Sequence, residues 1–153
     1  MKYLTITGAI ILILLIYFAY KDVKKQEQII HSELLTEYAL KHNSELIARV
    51  LHAEGNGTPD IDKIAIGSSI LNRMNNVEFP SSIIDVIYQK NQYVISDTFT
   101  QHDLQIASCL LEDRLRECDI LYFFNPKTAT NKRDIKKIRK RKLIIKTLGH
   151  EYY

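Results

Sequence analysis

One carboxylate at the end of a helical pattern is the group in this chain best placed to do chemistry. In residues 44–60, SELIARVLHAEGNGTPD, the side chains Ile47, Val50, Leu51 and Glu54 fall at i, i+3, i+4 and i+7. A helix through them lays Glu54 on the same stripe as three aliphatic residues. A carboxyl drawn out of water has its charged form disfavoured, so its pKa rises and it can act as a general acid near neutral pH. The competing reading is a helix-end acid that bends to solvent or pairs with Arg49 or a lysine, as acids in structural ion pairs do. Gly55 and Gly57 bracket Asn56 and predict a helix end just past Glu54. Thr58 then reads as the N-cap and Pro59 as the first position of the next helix.

Other reactive patterns are weaker. His31, His42, His52 and His102 show no metal spacing with carboxylates or cysteines, so neither a metal nor a cofactor is expected. Net charge is +3, but residues 127–146 hold ten Lys or Arg against Asp134 alone, giving +9 there and −6 elsewhere. This run lacks a nucleic-acid signature and interleaved aromatics, so no specific nucleic acid is expected. Attraction to anionic wall polymers or lipid head groups fits it, as does a solvated loop.

Three regions must position these groups. Residues 3–20, YLTITGAIILILLIYFAY, carry no charge and reach the lower length of a membrane-spanning helix. Tyr17 to Tyr20 offer no small-x-small cleavage site, which favours an uncleaved anchor over a signal peptide. Lys21, Lys24 and Lys25 after the span outnumber Lys2 before it, slightly favouring a cytoplasmic body. The expected divisions are an anchor over 1–21, a helical stalk over 22–43 and a body over 44–153. Asn43 or Ser44 would cap the body's first helix. A helix over 58–76 with Ile61, Ile64, Ala65, Ser68 and Leu71 inward comes next, then a short helix capped by Ser81 or Ser82. A possible strand at 92–95, a helix over 102–117, a strand at 120–124 and two extended pieces near 143–147 and 150–153 complete an α+β domain. Cys109 and Cys118 on one helix would stand about 13 Å apart, too far for a disulfide.

Several of these pieces fall in a collinear order. Ile47-Ala48-Arg49-Val50-Leu51-His52-Ala53-Glu54-Gly55-Asn56-Gly57 is followed by Ile66-Gly67-Ser68-Ser69-Ile70-Leu71-Asn72-Arg73. Phe79-Pro80, Tyr88-Gln89 and Gln92-Tyr93 come next, then Tyr122-Phe123-Phe124-Asn125-Pro126 and Gly149-His150-Glu151-Tyr152-Tyr153. Together, over about residues 45–153, they resemble the SleB-type cell-wall hydrolases, the spore-cortex-lytic family. Thr58 stands where that family often has a second glutamate, and Tyr93 where it has Phe.

The resemblance implies a mostly helical, lysozyme-like domain with a small antiparallel sheet, behind the N-terminal transmembrane helix. It implies cleavage of the peptidoglycan glycan strand between N-acetylmuramic acid and N-acetylglucosamine, with Glu54 as the catalytic acid. A hydrolase normally needs a second carboxylate at a defined distance, and Asp60, Asp62 and Glu78 have no spacing that marks them. A lytic transglycosylase needs only Glu54: it protonates the leaving oxygen, then takes the proton of the muramoyl 6-hydroxyl as that oxygen closes onto C1. Gln92 and Tyr93 are candidate substrate contacts, able to hydrogen-bond and stack on a sugar, or else to pack a surface loop. Asn125, before a proline, is a turn former that the resemblance makes a candidate contact. His150 could touch substrate or hold the Glu54 region, and Tyr122 could form groove wall or core. Such a substrate puts the body outside the cytoplasm, against the lysine count, and the compactness suits a phage-encoded origin. The Thr58 departure keeps a second reading open, a non-catalytic peptidoglycan-binding module of the same fold.

Overall fold

The structure, a computed structural model, describes residues 2–117, 119–147 and 149–153, with side chains described from residue 14 onward. Two compact units divide the chain, Met1–Ala39 and Leu40–Tyr153. Cys118 lies outside the described residues, and Cys109 is a free, partly buried thiol.

Helix α1 (Lys2–Gly55) runs without a break through the expected boundary at Asn43 and Ser44. Ser44 does not cap a new helix: its Oγ donates to the Leu40 carbonyl at 2.8 Å, the backward bond a mid-helix serine makes. In the first unit, every described side chain from residue 14 to 39 is exposed. Among the described residues no helix is long and apolar enough to cross a membrane. Of the expected 3–20 span, residues 3–13 have side chains outside the described set.

In the second unit α1 acquires a buried face. Ile47, Val50 and Leu51 are fully enclosed and pack with Ile66, Ile70, Val86, Ile87, Leu110 and Ile120. Each such side chain contributes about 1.5–3 kcal/mol over leaving it exposed. Their partners come from α2 (Asp60–Met74), α3 (Ile83–Ile87) and α4 (Gln101–Leu111), followed by β1 (Phe123–Phe124), α5 (Lys132–Ile138), β2 (Ile145–Lys146) and β3 (Glu151–Tyr152). The strands form one antiparallel sheet in the order β1-β3-β2, with Tyr152 opposite both Phe123 and Ile145. The mostly helical α+β composition matches the pattern of the sequence.

Several local expectations change. Helix α2 starts at Asp60 with Pro59 as its N-cap, and no side chain caps it. Thr58 Oγ1 instead donates back to the Gly55 carbonyl at 2.8 Å, closing one of the unsatisfied carbonyls at the end of α1. The buried face of α2 is wider than the expected stripe: Ala65, Ser68 and Leu71 are buried as expected, but Ile61 is 40% exposed and Asp62 is completely buried. Gly67 lies where a Cβ would come within 2.3 Å of Leu110 Cδ1, so a larger residue there would force the buried Leu110 side chain to shift. Ser82 caps α3 by accepting from the Asp85 N–H, as its sequence suggests. Helix α4 stops at Leu111, short of 117, and turns through Asp113 at φ 59°. The 92–95 segment forms no strand, and the one expected at 120–124 narrows to Phe123–Phe124.

A buried carboxylate joins three helices beside the end of α1. Asp103 accepts from Lys63 Nζ at 2.6 Å, from His52 Nδ1 at 2.9 Å, and from the Thr100 N–H and hydroxyl at 2.9 and 2.7 Å. Burial by itself would raise its pKa, but these donors together hold it well below the usual aspartate value of 3.8. Its stabilising effect is complete above that pH and lost as pH falls through the lower folded-state value. Asp103→Asn leaves Lys63 nearly buried without a countercharge and is expected to cost about 3 kcal/mol in urea denaturation at neutral pH. The gap between variant and native protein should shrink as the pH drops below that of an ordinary aspartate.

Candidate active site

Glu54 lies on the last turn of α1, half-buried, and its Oε1 accepts the Val94 backbone N–H at 2.7 Å. Gly57 at φ 74° makes the turn that follows, a conformation glycine adopts without strain. The 92–97 loop is fastened to α1 by Arg49, whose Nε donates to the Ser96 carbonyl at 2.6 Å while the Ser96 N–H returns to the Arg49 carbonyl. Arg49 also reaches Asp97 at 3.4 Å, so it is not the partner of Glu54. Among the described residues no cation forms an ion pair with Glu54. Burial pushes its carboxyl above the ordinary 4.5, while the Val94 bond and the charge of His150 pull the other way.

Glu54 opens onto a cavity of about 760 Å³, within the range of small-molecule sites. The structure brings Glu54, Gln92, Asn125, His150 and Tyr122 together on its walls, with Thr58 beside them. Tyr93, expected to stack on a sugar, is not among the described lining residues. Its hydroxyl meets Ser69 Oγ at 3.0 Å and its ring lies under the Arg73 guanidinium at 5.1 Å. Burial raises the Tyr93 pKa against the pull of Arg73 and Ser69. Asn125 forms a turn, its Oδ1 accepting from the Lys127 N–H at 2.9 Å.

Two groups that the sequence reading assigned no role organise these walls. Arg73, buried at the end of α2, donates from Nε to the Leu121 carbonyl at 2.7 Å and from Nη1 to Gln92 Oε1 at 2.9 Å. Its guanidinium also sits 5.1 Å from the Phe79 ring and 5.5 Å from that of Tyr122. Next to it, Asn72 Nδ2 donates to the Glu117 and Ile120 carbonyls, tying the approach to β1 to α2. The second group is Asp62. Its buried Oδ1 accepts from Tyr152 Oη at 2.6 Å, Thr147 Oγ1 at 2.7 Å and His150 Nδ1 at 3.2 Å. The contact with Asp62 sets the plane of the His150 ring. Phe123 meets the same ring edge-on at 5.7 Å. Burial, then Asp62, hold the Tyr152 hydroxyl firmly in its protonated form. Arg73 stood out in sequence as the end of a motif that carries the resemblance and Asp62 as an acid near Glu54, but neither signal distinguishes a buried polar network from a solvated face.

The remaining acids considered as a second carboxylate do not line the cavity among the described residues: Asp60 pairs with His102 at 2.8 Å, Asp62 is enclosed and Glu78 is exposed. Asp134 does line it, with its carboxylate engaged by Asn131. The arrangement can therefore deliver and recover one proton at Glu54, beside an imidazole of fixed orientation.

Residues 57–153 match the cell wall hydrolase family, a region that begins three residues after Glu54. Over 98 residues the chain is 29% identical to the spore cortex-lytic enzyme of Bacillus cereus, covering 60% of this chain and 38% of that protein. With the spore cortex-lytic enzyme of Bacillus subtilis it shares 32% over 92 residues, 56% of this chain and 30% of the relative. The match thus takes in well under half the length of these relatives. The crystal structure of the catalytic domain of Bacillus cereus SleB is similar at TM-score 0.59 and 27% identity, covering 72% of this chain and 88% of that one. The catalytic domain of the germination-specific lytic transglycosylase SleB from Bacillus anthracis is similar at TM-score 0.63 and 25% identity, covering 72% and 92%. With more than half of its length matched and this catalytic-domain fold in common, the chain belongs to the cell wall hydrolase family.

Proposed function

We infer that the chain cleaves the glycan strand of peptidoglycan between N-acetylmuramic acid and N-acetylglucosamine, as a lytic transglycosylase with Glu54 acting as acid and then base. The observation that carries this reading is a carboxyl with raised proton affinity and no ion-pair partner among the described residues, at the wall of a sugar-sized groove. Glu54 protonates the glycosidic oxygen as the bond to C1 breaks. The carboxylate so formed removes the proton of the muramoyl 6-hydroxyl, whose oxygen bonds to C1 and leaves a 1,6-anhydro end. No water is consumed and Glu54 ends protonated again. Gln92, held by Arg73, and Tyr122, Asn125 and His150 contact the strand. The uncharged 3–20 stretch anchors the chain, with the body on the outer side where peptidoglycan lies, and the 127–146 cations draw it to anionic wall polymers or lipid head groups.

A binding module without turnover is the second reading. It is favoured by Thr58, which lines the groove where the family often has an acid and whose hydroxyl is committed to the Gly55 carbonyl.

Purified peptidoglycan incubated with the protein should release anhydromuramoyl products detectable by mass spectrometry, and Glu54→Gln should lower their rate by about 10²–10⁴-fold. Binding without products selects the module, and reducing muramoyl ends select a hydrolase. The acid step needs protonated Glu54, so kcat should persist above the ordinary glutamate value of 4.5 and fall as pH rises through the raised one. Because the His150 charge favours the carboxylate, His150→Gln should move this alkaline limb to higher pH. A histidine that only packs the wall would lower activity and leave the limb in place.

A further inference from the structure

The basic run is not uniform once folded. Arg139 and Lys146 are taken by Glu151, at 3.0 and 3.3 Å. Lys136 and Lys140 line a separate shallow hollow on α5. Lys137 and Arg141, four residues apart, line the Glu54 groove. The chain after α5 keeps turning, with the Arg141 N–H bonded to the Ile138 carbonyl at 2.9 Å, so both side chains come to one wall.

Arg141 rests over the Tyr122 ring. Its guanidinium lies 4.4 Å from the Tyr122 ring centroid, and Nη2 meets Tyr122 Oη at 3.4 Å. A guanidinium stacked on an aromatic face still presents N–H groups along its edge, in the fork that matches a carboxylate. Among the described residues neither Lys137 nor Arg141 pairs with a carboxylate. The groove's own acids do not supply one: Asp134 is engaged by Asn131, and Glu54 bonds the Val94 N–H. Two cations thus line the same groove as Glu54.

We propose that Lys137 and Arg141 form a carboxylate-recognising subsite of the Glu54 groove, selecting glycan strands whose peptide substituents carry free carboxylates. The inference rests on the reading of the groove as a peptidoglycan site. A strand seated at Glu54 projects its substituents from the sugar ring, and a charged group on one of them reaches the same wall. A bare neutral glycan offers these cations nothing. A separate phosphate polymer is less suited, because it would have to occupy the groove in place of the strand.

The test measures binding, so it does not depend on turnover. The full chain bearing Glu54→Gln is co-sedimented with peptidoglycan stripped of phosphate polymers, and with the same material after its carboxylates are converted to amides. The expected result is about five- to tenfold weaker binding to the amidated material, of the order of one lost charge-assisted hydrogen-bonding group. Adding Lys137→Gln and Arg141→Gln should abolish the difference, whereas Lys136→Gln with Lys140→Gln, the same change in charge away from the groove, should preserve it. Equal binding to both materials overturns the proposal, as does discrimination that survives Lys137→Gln with Arg141→Gln. Full displacement by poly(glycerol phosphate) with no effect of amidation also overturns it, in favour of a phosphate ligand. If discrimination behaves as expected while native protein releases no products, the subsite stands and the enzymatic reading falls.

Discussion

The site depends on withdrawing Glu54 from water without giving it a cation. A buried carboxyl beside a lysine or arginine would ionise and lose its use as an acid. In the second unit the cations around the end of α1 and at the end of α2 are held by other partners. Lys63 and His52 are bound to Asp103, Arg49 to Ser96 and Asp97, and Arg73 to Leu121 and Gln92. The charge of His150 acts on Glu54, and Asp62 holds the His150 ring through Nδ1. What Glu54 receives is one backbone N–H, from Val94.

This arrangement makes buried polar networks part of the geometry of the groove. Asp103 and Asp62 are fully enclosed and each gathers three or more donors, from α1, α2 and the start of α4 in one case and from the 147–152 run in the other. The Asp103 carboxylate has both oxygens bonded, whereas Asp62 takes its donors on Oδ1 and its buried Oδ2 has no partner among the described residues. Together the two networks hold the end of α1 and the His150 ring, which line one groove. Arg73 extends the same logic to the far wall, where one guanidinium orders Gln92 and three aromatic rings.

The α+β composition, the helix end at Gly55 and the inward side of Glu54 were legible because each follows from local rules: a 3.6-residue apolar stripe and glycines just beyond it. Five residues singled out in sequence, Glu54, Gln92, Asn125, His150 and Tyr122, share one groove, although their separation along the chain said nothing of distance. What stayed hidden has a common cause. Asp62 is buried because three donors from the 147–152 run reach it, and no pattern inside α2 encodes that. The packing of Tyr93 under Arg73, and the continuity of α1 past Ser44, likewise depend on partners that local spacing does not reveal. The basic run was visible as charge, but its division among Glu151, the outer face of α5 and the groove required the turn after Ile138.

The central claim is that burial, and not a partner charge, holds the proton on Glu54. It is tested most directly by following the Glu54 carboxyl carbon by NMR through a pH titration of the native protein. A midpoint clearly above the ordinary glutamate value of 4.5 is the result predicted. A midpoint at or below that value would contradict the account, because Glu54 would then be an ordinary ionised acid with no proton to deliver.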